Sequence, residues 1–128
     1  MSSSTPPLSA NVAVLRGELV NEPVRRDLPS GSVVVQFDLT TRVHDGDRFT
    51  NVSVPVAWTD PSSSAVASLT TGCGYVIVGS VRRRFFRVGG ATQSRTEVVA
   101  EQVIPVRRRK QAATVLVRTA ERIVASST

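Results

Sequence analysis

The sequence predicts an all-β fold: a small five-stranded barrel with one short helix between its third and fourth strands. Three observations carry this expectation. Apolar residues recur with a period of two in several separate stretches, clusters of glycine and proline punctuate those stretches, and only one internal segment carries helix start and stop signals. At 128 residues, 41% hydrophobic and 20% charged, the chain has the make-up of one globular domain with a single core.

Residues 1–9 are mostly Ser, Thr and Pro with little to bury, and are expected to be a disordered lead. Asn11 to Val20 alternates unevenly, with Gly17 in its middle, as in a first strand that bends or bulges. Asn21 to Gly31 holds two prolines and a glycine and reads as a loop or loose hairpin. Val33, Val35, Phe37 and Leu39 then alternate with Val34, Gln36, Asp38 and Thr40, the signature of a half-buried second strand. A turn at His44 to Arg48 leads to a third strand in which Val52, Val54, Val56 and Trp58 alternate with smaller or polar residues. Pro55 lacks an N–H, so this strand pairs on one side only there, or bulges.

Asp60 as N-cap and Pro61 as first helical residue open the one internal helix, with Ala65, Val66 and Leu69 on one face and Gly72 at its end. Tyr75 to Phe86 is a long fourth strand, Arg87 to Ser94 with Gly89-Gly90 a hairpin loop, and Arg95 to Val106 the fifth strand. Three strands, a helix and two strands is the element order of the OB-fold, a Greek-key barrel, here spanning residues 10–106. Residues 107–128 form a basic C-terminal extension. Ala112, Leu116, Ala120 and Ile123 have helical spacing there, while the β-branched Thr114, Val115 and Val117 would equally suit a sixth strand.

Several function classes drop out. No run approaches the roughly 18 apolar residues of a membrane span, and Met1 to Leu8 lacks the basic start and apolar run of a secretory signal, so a cytoplasmic protein is expected. Cys73 is the only cysteine, which excludes an internal disulfide and a cysteine metal cluster. His44, the only histidine, lies in a turn, and Asp45 and Asp47 lack the further ligands of a calcium loop. No nucleophile motif or phosphate loop is present, so neither an enzyme nor a cofactor or metal is expected.

Charge speaks of a partner. The chain carries +6, yet Gly79 to Lys110 alone holds nine basic residues against two acidic ones, a net +7. Positive potential confined to a quarter of a small domain points to a polyanion, of which nucleic acid is the commonest in a cytosol. Within that quarter, Val81-Arg82-Arg83-Arg84-Phe85-Phe86-Arg87 interleaves cations with aromatic rings on a strand entering a loop. Period two places Arg82, Arg84 and Phe86 on one face, opposite Tyr75, Ile77, Gly79 and Val81. Guanidinium groups neutralise phosphates and a ring offers a face to any base, which favours unpaired strands and tolerates any sequence. Phe85 and Arg87 complete this set, and Arg42 and Phe49, either side of the turn at His44 to Arg48, extend it. Each ring has a plainer reading, with Phe85 and Phe86 packed under the loop or in a subunit contact. Trp58 either fills the core or stands beside the groove as a stacking residue; we assign it to the groove.

These segments resemble the bacterial single-stranded DNA-binding proteins. The resemblance is carried by Asn11 to Leu19, Asn21 to Arg25, Pro29-Ser30-Gly31, Gln36 to Leu39, Val54 to Trp58, Gly79 to Arg84 and Thr96 to Glu101, in family order and spacing. It implies an OB-fold homotetramer that wraps and protects single-stranded DNA in replication, recombination and repair, with a nucleoid-associated, cytoplasmic location. It also implies that Trp58 and Phe86 occupy stacking positions and that Arg82 and Arg84 occupy basic groove positions. Two stacking positions of the family lack a counterpart, at Val52 and near His44, so a larger share of affinity should fall to arginine and affinity should drop steeply with salt. The family's flexible linker ending in an acidic tip is replaced by Arg107-Arg108-Arg109-Lys110 and the segment that follows. Partner enzymes recruited through such a tip are therefore not expected, and the chain reads as a specialised paralogue.

The leading expectation is sequence-tolerant binding of single-stranded DNA without catalysis. Single-stranded RNA is a rival ligand, since nothing in the sequence reads a 2′-hydroxyl. A basic face docking an acidic protein in a replication or repair complex is the alternative from another class. Val76 and Val78, on the expected outer face of the fourth strand, hint at a subunit interface there.

Overall fold

The computed structural model describes residues 9–125; the disordered lead expected over residues 1–9 lies, Ser9 apart, outside them. In chain order the elements are β1 (Ala13–Leu19), β2 (Val24–Asp27), β3 (Val33–Asp45), β4 (Arg48–Thr59), α1 (Ser63–Ala67), β5 (Gly74–Val88), β6 (Ala91–Pro105) and α2 (Arg109–Ala125). The sheet runs β1-β5-β6-β4-β3-β2, and β1 also pairs with β3. Five strands therefore close into a barrel, and the four-residue β2 is an outer strand on β3, making a hairpin of the segment expected to be a loop or loose hairpin. This is the OB-fold topology.

Period two decides what the barrel buries. Val35, Phe37 and Leu39 of β3, Val56 and Trp58 of β4, Tyr75 and Ile77 of β5, and Val98 and Ala100 of β6 converge with Leu19 in one core. β1 bends at Gly17 so that Glu18 and Leu19 reach β3 while Ala13 to Glu18 follow β5. A Cβ at Gly17 would collide with the Thr40 carbonyl, which is why the bend takes glycine. In β6, Val78 opposes Gln102 and Gly79 opposes Ala100, leaving Glu101 as an extra residue. That bulge lets Ala100 and Val103 both pack on the core despite their odd spacing.

Helix α1 is shorter than expected and starts later. Its cap is Ser62, whose hydroxyl accepts from the Ala65 N–H at 3.1 Å. Asp60 is engaged elsewhere: at φ 50° it clasps Val33, its carboxylate accepting the Val33 N–H at 2.8 Å while its own N–H donates to the Val33 carbonyl at 2.7 Å. The stretch down to Gly72 is tied to β5 by Tyr75, whose hydroxyl donates to the Ser68 carbonyl and accepts from the Thr70 N–H.

The C-terminal extension forms helix α2. Its inward side begins at Ala112, as the expected stripe did, and then shifts back by one position to Val115 and Thr119, so that Leu116 and Ala120 are left exposed. Ala112 and Val115 cover Val76 and Ile104, so the outer face expected as a subunit contact at Val76 is sealed by the chain's own helix, and Val78 is also fully buried. No helix among the described residues is long and apolar enough to cross a membrane.

Candidate nucleic-acid interface

Two ribbons project from the barrel, and the pairing pattern fixes their direction. β4 and β6 are parallel neighbours, joined only where Val56, Ala57 and Trp58 meet Val98, Val99 and Ala100. Before that seam, β4 pairs only with β3, and β6 pairs only with β5. The β3–β4 ribbon and the β5–β6 ribbon thus leave the same end of the barrel as separate two-stranded arms. Pro55 sits one residue before the seam, paired to Asp38 alone, as expected of a residue that cannot donate to a second neighbour.

The β5–β6 arm is longer and tighter than the expected loop. Its turn is Gly89-Gly90, both with positive φ, at 58° and 82°, the conformation of a two-residue turn that follows strand twist. Asn11 holds the arm at its root, donating to the Val81 carbonyl at 2.8 Å and accepting its N–H at 2.9 Å. Beyond Val81 the two faces differ. One carries Arg82 opposite Glu97, Arg84 opposite Arg95, and Phe86 opposite Gln93; the other carries Arg83, Phe85 and Arg87 opposite Thr96, Ser94 and Thr92.

The expected site residues divide by environment. Phe85 is 65% exposed and Phe49 64% exposed, so both rings present faces to solvent. Phe86 is half-buried, with the Arg84 guanidinium 5.9 Å from its ring centre. Arg42 stands 5.6 Å above the Phe49 ring, and His44 leans on the same ring with centroids 4.8 Å apart. Arg84 and Arg87 are exposed. Arg82 is exposed as well but committed, pairing at 3.0 Å with Glu97, whose side chain is 4% exposed. Trp58 requires a correction. It is 9% exposed and packs among Val35, Val56 and Ala100, so it belongs to the core and not to an exposed stacking surface. Its shared strand parity with Val56 was the signal for this.

The arms bring together Phe85, Phe86, Arg83, Arg84 and Arg87 on one, and Phe49, Arg42 and His44 on the other. Between them, Arg95 reaches over β4 to Asp38 at 3.6 Å, and a depression of about 260 Å³ lies beside Arg26, Asp38, Pro55, Arg95 and Glu97. Sequence reasoning missed three features here. Two need cross-strand register: the Glu97 and Asp38 carboxylates that hold Arg82 and Arg95, and the directly opposed pair Arg84 and Arg95. The third is Arg83, an exposed cation beside Phe85. Like charges facing each other across a ribbon repel, and an anion between them relieves the repulsion. Among the described residues no group of histidine, cysteine or carboxylate side chains could hold a metal ion.

A closed OB barrel with two arginine- and phenylalanine-bearing arms is a class of architecture built to meet oligonucleotides. The comparisons with known proteins narrow it. Residues 10–106 match the single-strand binding protein family, and the chain belongs to that family. Among solved structures it is similar to a chain described as "Plasmodium falciparum SSB complex with ssDNA", with a TM-score of 0.66 and 19% identity over 82% of this chain and 98% of that one. At that identity the likeness establishes the shared fold. No curated protein sequence matched the chain.

Proposed function

We propose that this protein binds single-stranded DNA without sequence preference and protects it during replication, recombination or repair, catalysing no reaction. The observation that carries the proposal is the pair of arms, each presenting a solvent-facing phenylalanine beside an arginine. Base faces stack on Phe49 and Phe85, with Phe86 offering a partial surface under Arg84. Phosphates meet Arg42, Arg83, Arg84 and Arg87, while Arg82 is oriented by Glu97 and helps to set the local field. Duplex DNA hides its base faces, so this arrangement selects unpaired strands. Family membership supports the same reading and extends it to a homotetramer working in the cytoplasm at the nucleoid.

Titration of fluorescently labelled oligothymidylate, duplex DNA and single-stranded RNA, followed by anisotropy at two salt concentrations, tests the proposal. Binding of oligothymidylate with at least about tenfold weaker binding of duplex is expected, because stacking contributes about 1–3 kcal/mol per base and duplex offers none of it. Equal affinity for the RNA would widen the ligand class to unpaired strands of either sugar. Failure to bind either DNA form at low salt would overturn the proposal and favour an acidic protein partner.

A further inference from the structure

Resting on the reading of the chain as a single-stranded DNA binder, we infer that His44 is a further contact between the β3–β4 arm and the bound strand, and that its proton grades the arm's affinity. The register of the arm places Arg42 and His44 on one side of β3, opposite Asn51 and Phe49 of β4. Phe49 is their shared neighbour. The Arg42 guanidinium stands 5.6 Å from the centre of its ring, and the imidazole lies against the same ring at 4.8 Å with the two planes 59° apart. All three side chains are exposed, so a base that stacks on Phe49 meets a guanidinium and an imidazole together.

The surroundings leave the imidazole open to the charge of a ligand. Phe49 and Asn51, across the arm on that side, are uncharged, and Arg42 is the charged group beside it. Asp45 and Arg48 oppose each other on the other side of the arm, with Asp47 in the turn between them. Among the described residues neither Arg42 nor His44 forms an ion pair. β1 reaches β3 only at Leu39 and Thr40, and β6 meets β4 only at Val56 to Trp58, so no other strand pairs with this end of the arm.

Histidine is the side chain whose charge changes between pH 5 and 8. Neutral, His44 is an aromatic support for Phe49. Protonated, it sets a second cation against a ring that already carries Arg42, and the two like charges repel. A phosphate beside them relieves that repulsion and accepts a charge-assisted hydrogen bond from the imidazolium. Proton and strand therefore favour each other: acidification tightens the strand, and by reciprocity the bound strand draws a proton onto His44.

His44 is the sole histidine, so protein prepared without a histidine tag gives one imidazole signal and a clean test. Oligothymidylate, whose bases do not titrate in this range, is bound at about pH 8 and about pH 5.5 and followed by anisotropy. The unaltered protein is expected to bind about threefold more tightly at the lower pH, the scale of one exposed charge pair. Its salt slope there should be steeper by about 0.7, that of one phosphate contact on a single strand. His44→Phe keeps a ring beside Phe49 and removes the proton, so its affinities at the two pH values should no longer differ. Proton NMR of the imidazole, titrated with and without oligothymidylate, should show the midpoint moved to higher pH in the complex. The same pH dependence in His44→Phe, or an imidazole whose titration the oligonucleotide leaves in place, would overturn the contact and leave the single-strand reading standing. An unaltered protein that binds oligothymidylate at neither pH would instead sink the single-strand reading, and this inference with it.

Discussion

Phe49 and Phe85 are large apolar side chains kept in water, which costs the folded state little and offers a ligand much. Phe49→Ala and Phe85→Ala are each expected to weaken oligothymidylate binding by about 1–3 kcal/mol per lost stacked base. Both should leave the melting temperature nearly unchanged, because exposed positions contribute within about 0.5 kcal/mol to stability; calorimetry beside anisotropy separates the two effects. Trp58 is the converse. Trp58→Ala empties a core site and should cost about 3–5 kcal/mol of stability, read as a large drop in melting temperature. Arg82 and Glu97 act as a unit, with the carboxylate nearly dry and the guanidinium half in solvent. Arg82→Ala strands that carboxylate and should destabilise by about 1–3 kcal/mol. Adding Glu97→Gln to Arg82→Ala should recover part of the loss in a double-mutant cycle.

At the scale of the elements, the strands were legible because a closed barrel keeps one side of every strand dry, and period two records that side directly. Trp58 was misassigned although Val54, Val56 and Trp58 share parity; its amphipathic ring made an exposed role plausible where the parity argued otherwise. Asp60-Pro61 has the composition of a helix start, but the Asp60 carboxylate is taken by the Val33 N–H across the barrel, a demand 27 residues away that no local pattern contains. The inward side of α2 could not be read for a similar reason. Many of its residues are apolar, and the choice of Ala112 and Val115 was made by Val76 and Ile104, not by the helix. Its hold on the barrel is correspondingly modest. Removing the chain after Arg108 should uncover Val76 and Ile104, lower the melting temperature and increase self-association in size-exclusion chromatography. In the intact protein, amides of α2 should exchange faster than those of β5, whose neighbours pair on both sides.

For the whole molecule, the charge distribution was legible from the sequence alone, but the use made of it was not. Acidic side chains neutralise Arg82 and Arg95 at the root of the β5–β6 arm, leaving Arg83, Arg84 and Arg87 free toward its tip. Affinity for single strands should therefore be strongly electrostatic. With Arg42, Arg83, Arg84 and Arg87 each neutralising a phosphate at a slope of about −0.7, a fourfold rise in salt should weaken binding by about fiftyfold. Anisotropy titrations across a salt series check this, and a flat response would show that stacking, and not charge, dominates.

The barrel wall has two narrow joins, the two-residue one between β1 and β3 and the three-residue parallel seam between β4 and β6, and Trp58 stands in the second opposite Ala100. The molecule thus carries its sole indole at one of the two places where the wall is thinly joined, away from the rings that meet a ligand. Its emission is an optical gauge of barrel closure: steady and blue while oligonucleotide is added, and red-shifted once heat or denaturant parts the strands.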